Sequence, residues 1–216
     1  MAQPVAIGPV PRPRPGYRDL VTASVVVLNG GSSSGTTSIA RALQRLLGPT
    51  WMTLGVDDLV RALPGGEEID ELARLRRTGE EPARDGGPLH LGSDGSVSVG
   101  EDFRRAEAAW YSGLAAIGRS GTGLIVDEVF LDGASSRARL EVALSGLDVL
   151  WVGVRCSPEV AAARERRRAD RVPGMAELQA DRVHQGIAYD LVVDTTSTGA
   201  AECARAIASQ MSSRGR

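Results

Sequence analysis

The chain has 216 residues, of which 42% are hydrophobic and 24% are charged, and this fits one compact domain with a single core. Its formal net charge of −2 excludes a bulk electrostatic attraction to nucleic acid or to an anionic membrane surface. No apolar run reaches the roughly 20 residues that a membrane-spanning helix needs, so the sequence predicts a cytoplasmic protein without nucleic-acid or membrane partners.

Residues 1–23 contain five prolines and few apolar side chains. We predict that they form a disordered Pro/Arg-rich tail, because they have little surface to bury. A single domain is expected over residues 24–216. It opens with an apolar run at residues 25–29, which is typical of a strand covered on both faces. A glycine-rich turn follows, and then a helical pattern from residue 37 to residue 47.

The rest of the domain alternates between apolar strands and amphipathic helices. Strands are predicted at residues 52–56, 121–130, 147–154 and 191–193, and helices at 58–63, 101–117, 134–144, from 158 into the arginine run at 164–168, 175–185 and 200–211. Residues 64–100 are rich in Gly and Pro and predict an irregular insertion on the substrate side. The alternation predicts an α/β fold of three layers, with helices on both faces of a central parallel sheet.

The turn after the first strand nearly matches the Walker A phosphate-binding motif. It consists of Gly30, Gly31, Ser32, Ser33, Ser34, Gly35, Thr36 and Thr37. Glycines let backbone N–H groups turn toward phosphate oxygens, and the helix N-terminus adds a partial positive charge. We therefore predict a P-loop NTPase fold that holds a nucleoside triphosphate, with the Thr37 hydroxyl reaching Mg²⁺. A turn that binds nothing is the alternative, which the strand-loop-helix context disfavours.

The motif departs from its pattern at one position. Thr36 stands where a lysine normally contacts the β and γ phosphates, and all 25 basic residues of the chain are arginine. Backbone N–H groups can still bind nucleotide, but the positive charge needed for catalysis must come from another part of the chain.

Acidic residues lie at or just after the ends of two of the predicted strands. Asp127 lies at the end of an apolar strand, where P-loop enzymes place the carboxylate that holds Mg²⁺ through water. Asp57 and Asp58 follow the second strand, where one could serve as the general base and the other as a helix N-cap. Spacing alone does not decide which is which.

Arginines crowd residues 164–174, and we predict that this segment is an Arg-rich lid. The arginines are Arg164, Arg166, Arg167, Arg168 and Arg171. A lid of this kind lays guanidinium groups on the transferring phosphate, so catalytic roles are predicted for Arg164, Arg168 and Arg171. One of them could replace the missing lysine. A solvated basic face and a nucleic-acid patch are the alternatives, the latter disfavoured by the lack of interleaved aromatic residues.

The two histidines, His90 and His184, are isolated in sequence and are interpreted as structural or surface residues. His184 lies near the end of a predicted helix. Because a helix C-terminus stabilises positive charge, the sequence predicts that the protonated form of His184 is favoured.

Several segments resemble the chloramphenicol phosphotransferase family, a branch of the nucleotide-kinase-like P-loop proteins. They are residues 28–33 (LNGGSS), 55–57 (GVD), 97–100 (VSVG), 126–131 (VDEVFL), 150–156 (LWVGVRC), 170–172 (DRV) and 189–196 (YDLVVDTT). The resemblance extends over nearly the whole domain, and Thr36 departs from it because the family has lysine there.

The resemblance implies that Asp57 is the general base, that the loop holds ATP or GTP, that arginines after Glu165 close over the phosphates, and that the protein forms a homo-oligomer. It implies transfer of the γ-phosphate to a hydroxyl of a small-molecule antibiotic, giving resistance. The antibiotic would be chloramphenicol-like or, by similarity to the capuramycin phosphotransferases, a capuramycin-type nucleoside. A nucleotide-binding module with impaired catalysis and a kinase of another metabolite are the alternatives.

Overall fold

The computed structural model describes residues 25–64, 89–92, 94–168 and 173–214 of the 216. The predicted tail at residues 1–23 lies outside the described residues. So do Arg171 and residues 65–88 of the predicted insertion.

The described strands form one parallel sheet and one hairpin. The sheet strands are β1 (Val25–Asn29), β2 (Trp51–Gly55), β5 (Gly123–Glu128), β6 (Val149–Arg155) and β7 (Leu191–Asp194). The hairpin strands are β3 (Leu89–Leu91) and β4 (Val97–Val99). The sheet order is β2-β5-β1-β6-β7. The chain leaves β1 toward one edge of the sheet and leaves β6 toward the other, so a crevice opens at the carboxyl ends of these neighbouring strands.

Helices lie on both faces of the sheet, as the sequence predicts. They are α1 (Thr36–Leu47), α2 (Val56–Ala62), α3 (Glu101–Arg119), α4 (Ala134–Ala143), α5 (Pro158–Glu165), α6 (Met175–Arg182) and α7 (Ala200–Arg214). One core cluster joins β1 to α1 and α7 through Val26, Leu28, Ile39, Leu43, Ile207 and Met211. The other joins the opposite face of β1 to α3 and α4 through Val25, Val27, Tyr111, Leu114 and Leu140. Because side chains alternate along a strand, β1 contributes to both cores and is held at the centre of the molecule.

The segment predicted to be irregular is ordered at its carboxyl end. β3 and β4 pair in an antiparallel register, and their turn closes with a hydrogen bond from Gly92 N–H to Ser96 O at 2.7 Å. Strands of three residues are too short to show a period-2 pattern, which is why the sequence did not reveal them. Gly95 in this turn packs so closely on α6 that a Cβ there would lie 2.4 Å from the Met175 nitrogen.

Helix α5 runs into the arginine segment, as predicted, and ends there at Glu165. The Glu165 carboxylate is buried and accepts hydrogen bonds from the N–H groups of Gly174 and Ala176, at 2.9 and 2.8 Å. The end of α5 is therefore tied to the start of α6 by a long-range contact that helical spacing alone does not reveal.

Of the helices that the described ranges contain, none combines the length and the apolar character needed to cross a membrane.

Candidate active site

The phosphate loop leaves the carboxyl end of β1 and enters α1 in a conformation that depends on its glycines. Gly35 has φ of 100°, in the left-handed region that glycine adopts without strain, and Ser33 is at 60°. At Gly30 a Cβ would lie 2.5 Å from the Ser34 hydroxyl and 2.8 Å from the Val154 carbonyl oxygen. A larger residue at position 30 would therefore displace the loop or β6.

Three hydroxyls of the loop are buried without a partner. They belong to Ser32, Ser33 and Ser34, and no described residue offers any of them a hydrogen bond. Unpaired buried hydroxyls are costly in an empty interior. Each hydroxyl can donate to an anion, so the loop as built fits a bound phosphate group.

The metal-binding residues predicted from sequence lie side by side. Thr37 is the second residue of α1, and its hydroxyl donates to Asp127 Oδ2 at the end of β5, at 2.7 Å. The β1–β5 pairing holds the two elements together. A hydroxyl and one carboxylate suit Mg²⁺, which prefers oxygen ligands and takes the rest of its shell from water and phosphate. The described residues hold no cluster of three or more His, Cys, Asp or Glu side chains that would suit another kind of metal site.

The two aspartates after β2 have different environments. The Asp58 carboxylate accepts a hydrogen bond from Gly55 N–H at 2.8 Å and caps α2. Asp57 is half-buried in the wall of the central cavity. The two carboxylates therefore have different roles in the structure: Asp58 makes the local capping contact, and Asp57 lies beside the cavity.

Gly55 brings the ends of β2 and β5 into close contact. A Cβ at this position would lie 2.5 Å from the Asp127 carbonyl oxygen, and Gly55 is opposite Asp127 in the parallel register. The strand carrying Asp57 can therefore approach the strand carrying Asp127 only because residue 55 has no side chain.

A cavity of about 980 Å³ joins the phosphate loop to Asp57. At one end it is lined by the loop and by the segment between β7 and α7, including Thr195 and Gly199. At the other end the wall is mostly apolar, with Leu91, Val97, Val99, Phe103 and Met175. We call these the donor end and the acceptor end.

The arginines predicted to act on phosphate take different positions. The Arg164 guanidinium donates to the carbonyl oxygens of Ser34 and Thr195, at 3.3 and 2.6 Å, and to the Thr195 hydroxyl at 3.1 Å. It braces the phosphate loop against the segment after β7. Arg167 and Arg168 line the cavity. Arg171 lies outside the described residues.

Two buried glutamates near Asp57 were not singled out from the sequence. Burial raises the pKa of Glu128 to about 8, and the charges of Glu107 and Asp127 act in the same direction. Glu107 itself is paired with Arg104 and Arg139, at 3.0 and 2.8 Å. Both glutamates line the cavity. Glu128 directly follows Asp127, but no pattern in the sequence marks it as a second acid at this sheet edge.

The predicted preference of His184 for its protonated form is wrong. His184 is 5% exposed, and its Nδ1 lies 2.7 Å from the Tyr189 hydroxyl, which also accepts from Asn29 Nδ2 at 2.6 Å. Burial lowers the pKa of His184 to about 4, and the charge of Arg155 acts in the same direction. The cost of desolvating an imidazolium here exceeds the favourable effect of the helix end.

Gln179 was also missed. It lies on α6, 147 residues from Ser32, and its carboxamide oxygen accepts a hydrogen bond from Ser32 N–H at 2.8 Å. No sequence motif links the two positions, since only the packing of α6 against the loop brings them together.

A parallel sheet in this order, with a phosphate loop after its central strand and a Thr–Asp pair at the loop's end, defines a protein of the P-loop kinase class. The fold is similar to that of shikimate kinase from Acinetobacter baumannii, with a TM-score of 0.59, 19% identity and coverage of 92% of this chain and 98% of that one. It is also similar to a gluconokinase from Sinorhizobium meliloti, with a TM-score of 0.55, 21% identity and coverage of 90% and 94%.

The family model described as chloramphenicol phosphotransferase-like protein matches residues 23–212, and the chain belongs to this family. Proteins from two strains of Mycobacterium tuberculosis, described as candidate O-phosphotransferases, are 36% identical over 188 residues, which cover 84% of this chain and 79% of theirs. The protein is accordingly a phosphotransferase, as its sequence predicted.

Proposed function

We propose that the protein transfers the γ-phosphate of ATP or GTP, with Mg²⁺, to a hydroxyl group of a small-molecule antibiotic in the cytoplasm. The observation that carries this proposal is the cavity shared by the phosphate loop and Asp57. Phosphoryl transfer depends on holding donor and acceptor in one water-poor space with the reacting oxygens in line, and a cavity that joins the two ends supplies such a space.

The donor end has the groups needed to hold a triphosphate. Backbone N–H groups and the hydroxyls of Ser32, Ser33 and Ser34 surround the phosphate position, and the N-terminus of α1 points at it. Arg164 fixes the loop from behind by binding its carbonyl oxygen at Ser34. Mg²⁺, held near Thr37 and Asp127, would offset the negative charge on the phosphates.

Asp57 is the proposed general base. It stands at the N-terminus of α2, two residues after Gly55, which is opposite Asp127 in the register of β2 and β5. Its carboxylate would accept the proton of the acceptor hydroxyl as that oxygen bonds to the γ-phosphorus and the bond from the γ-phosphorus to the bridging oxygen breaks. The products are the phosphorylated acceptor and a nucleoside diphosphate, and the proton remains on Asp57.

The acceptor end suits a molecule with both apolar and polar faces. The hairpin and α3 supply apolar side chains, whereas Arg104 and Glu107 contribute a charged pair to the same wall. A hydroxyl-bearing antibiotic of the chloramphenicol or capuramycin type has this mixed character. Phosphorylating such a hydroxyl adds charge and bulk where the drug's target must bind, which would give resistance.

The test is mass spectrometry of a panel of hydroxylated antibiotics after incubation with the protein, Mg²⁺ and either ATP or GTP. We expect one member to gain the mass of a phosphoryl group, with the donor identified by the nucleotide that supports the reaction. Gluconate and shikimate are tested beside the panel. If they become phosphorylated while every antibiotic stays unmodified, the acceptor is another metabolite and not an antibiotic.

Thr36 favours one other function, a module that binds nucleotide without turning it over, because the loop lacks the lysine that contacts the β and γ phosphates. The Thr36→Lys variant separates the two. If the protein is a kinase adapted to the lysine-free loop, a lysine ammonium competes with its arginines and turnover falls. A gain of transfer activity in Thr36→Lys from an inactive parent would identify the binding module.

A further inference from the structure

The side chain of Gln179 reaches the phosphate loop from α6. Its Oε1 accepts the Ser32 N–H at 2.8 Å, and the residue is 6% exposed. The backbone of α6 is equally close, since a Cβ on Gly31 would lie 3.1 Å from the Gln179 carbonyl carbon. Gln179 is therefore packed against the loop by both its main chain and its side chain.

The contact with Ser32 fixes the orientation of the carboxamide. A backbone N–H can only donate, so the oxygen of Gln179 faces Ser32 and the Nε2 group, with its two N–H bonds, faces another direction. No described residue accepts a hydrogen bond from this nitrogen. Gln179 lines the central cavity, so a buried side chain brings unused donors to the cavity beside the phosphate loop.

The position of Gln179 lies between the donor and acceptor ends. Met175, four residues earlier on the same face of α6, packs against Leu91 and Val97 of the acceptor hairpin. One helical turn separates that contact from the contact with Ser32. The transferring phosphate must pass between the two ends, and Gln179 stands at this boundary.

Both ends of α6 are anchored, which holds the carboxamide in place. At its start, buried Glu165 binds the N–H groups of Gly174 and Ala176. Just beyond its end, His184 is bound to the Tyr189 hydroxyl. A side chain supported in this way is preorganised for a ligand and loses little entropy on binding.

Resting on the proposed function, we infer that Gln179 binds the terminal phosphate of the nucleoside triphosphate through Nε2 while its Oε1 holds the phosphate loop at Ser32. The loop has Thr36 where a lysine normally contacts the β and γ phosphates. The carboxamide then supplies a neutral hydrogen-bond donor to the terminal phosphate of the nucleotide. Its single hydrogen bond to Ser32 N–H couples loop geometry to phosphate recognition.

The test compares the binding of a triphosphate and a diphosphate by calorimetry. The probes are the β,γ-imido analogues of ATP and GTP against ADP and GDP, all with Mg²⁺. Gln179→Glu keeps an oxygen for Ser32 N–H but turns the free donor into a carboxylate oxygen. We expect it to reduce the preference for triphosphate over diphosphate at least about tenfold, the cost of losing a hydrogen bond to a charged group.

Gln179→Met, which removes both polar atoms at similar size, serves as the second variant. It should weaken both nucleotides because the loop loses its contact, and should weaken the triphosphate about tenfold more. Gln185→Glu is the matched control: it adds the same charge to an exposed position just after α6 and should leave the preference unchanged. Melting temperatures establish that each variant is folded.

Two results would overturn the inference, and they are distinguishable. If the wild-type protein prefers triphosphate and Gln179→Glu and Gln179→Met keep that preference, Gln179 only positions the loop. If the wild-type protein binds no nucleotide, the proposed function itself fails, and the assignment of Gln179 fails with it.

Discussion

The donor and acceptor ends of the cavity are built from different parts of the fold. The donor end lies at the carboxyl ends of the central strands. Asn29 is the last residue of β1, and Asp127 lies near the end of the neighbouring β5. Arg164 joins the phosphate loop to the segment after β7. The acceptor end is formed mainly outside the main sheet, by a hairpin of three-residue strands, together with Phe103 of α3 and Met175 of α6. Phosphate chemistry needs dipoles held rigidly by a buried scaffold, whereas acceptor recognition can be carried by peripheral segments that tolerate change.

The largest expected effect is a loss of the transfer rate when Asp57, at the acceptor end, is changed. Asp57→Asn removes the proposed base while preserving shape, and we expect the transfer rate to fall by roughly 10²- to 10⁴-fold with little change in nucleotide affinity. Single-turnover kinetics with the acceptor found in the antibiotic panel measure this. Asp58→Asn keeps an oxygen for the cap on Gly55 and should retain most activity. Near-normal transfer by Asp57→Asn would remove Asp57 as the base.

A smaller effect is expected on the donor side at Thr37. Thr37→Val removes the hydroxyl that contacts Asp127 without changing the side chain's shape, and we expect transfer to fall by about 100-fold, the scale of one lost electrostatic group in a preorganised site. Thr37→Ser keeps the hydroxyl and is the control. The measurement is the rate as a function of Mg²⁺ concentration, and an unchanged Mg²⁺ dependence in Thr37→Val would contradict the assignment.

Substitutions of Arg164 and Arg168 should affect different steps, nucleotide binding for Arg164 and phosphoryl transfer for Arg168. Arg164 donates to the Ser34 carbonyl oxygen of the loop and to the Thr195 carbonyl oxygen after β7, so Arg164→Met should weaken diphosphate and triphosphate binding alike, by about tenfold. Arg168 lines the cavity, so Arg168→Met should mainly lower the transfer rate. Titrations with the diphosphate and the triphosphate measure the affinities of both variants, and the transfer rates are measured beside them. A loss confined to triphosphate in Arg164→Met would return Arg164 to a role on the transferring phosphate.

The last prediction concerns stability instead of activity, at His184 behind the loop. The pKa of His184 is about 4 in the folded protein against 6.5 for an unperturbed histidine. Between these values the unfolded chain binds a proton that the folded protein does not, so the contribution of His184 to stability is complete above pH 6.5 and is lost as the pH falls toward 4. Urea unfolding across this range should show a shallower pH dependence for His184→Gln. An equally steep dependence in that variant would show that His184 is not the group responsible.

Much of the fold could be predicted because its signals are local. The apolar runs of β1, β5 and β6 are long enough to indicate buried strands, and α1 and α3 show clear helical spacing. The prediction missed the β3–β4 hairpin, whose strands are too short to show a period. It also missed the buried Glu165 contact with N–H groups that lie nine and eleven residues further along the chain.

The sequence by itself determined the phosphate loop, the acids after β2 and at the end of β5, and the absence of lysine, because each depends on neighbouring residues and on the order of strand, turn and helix. Only the tertiary structure placed Arg164 behind the loop, buried His184 and Glu128, and brought Gln179 to Ser32. Those outcomes depend on desolvation and on contacts between residues that are distant in sequence, and neither quantity is encoded in a local pattern.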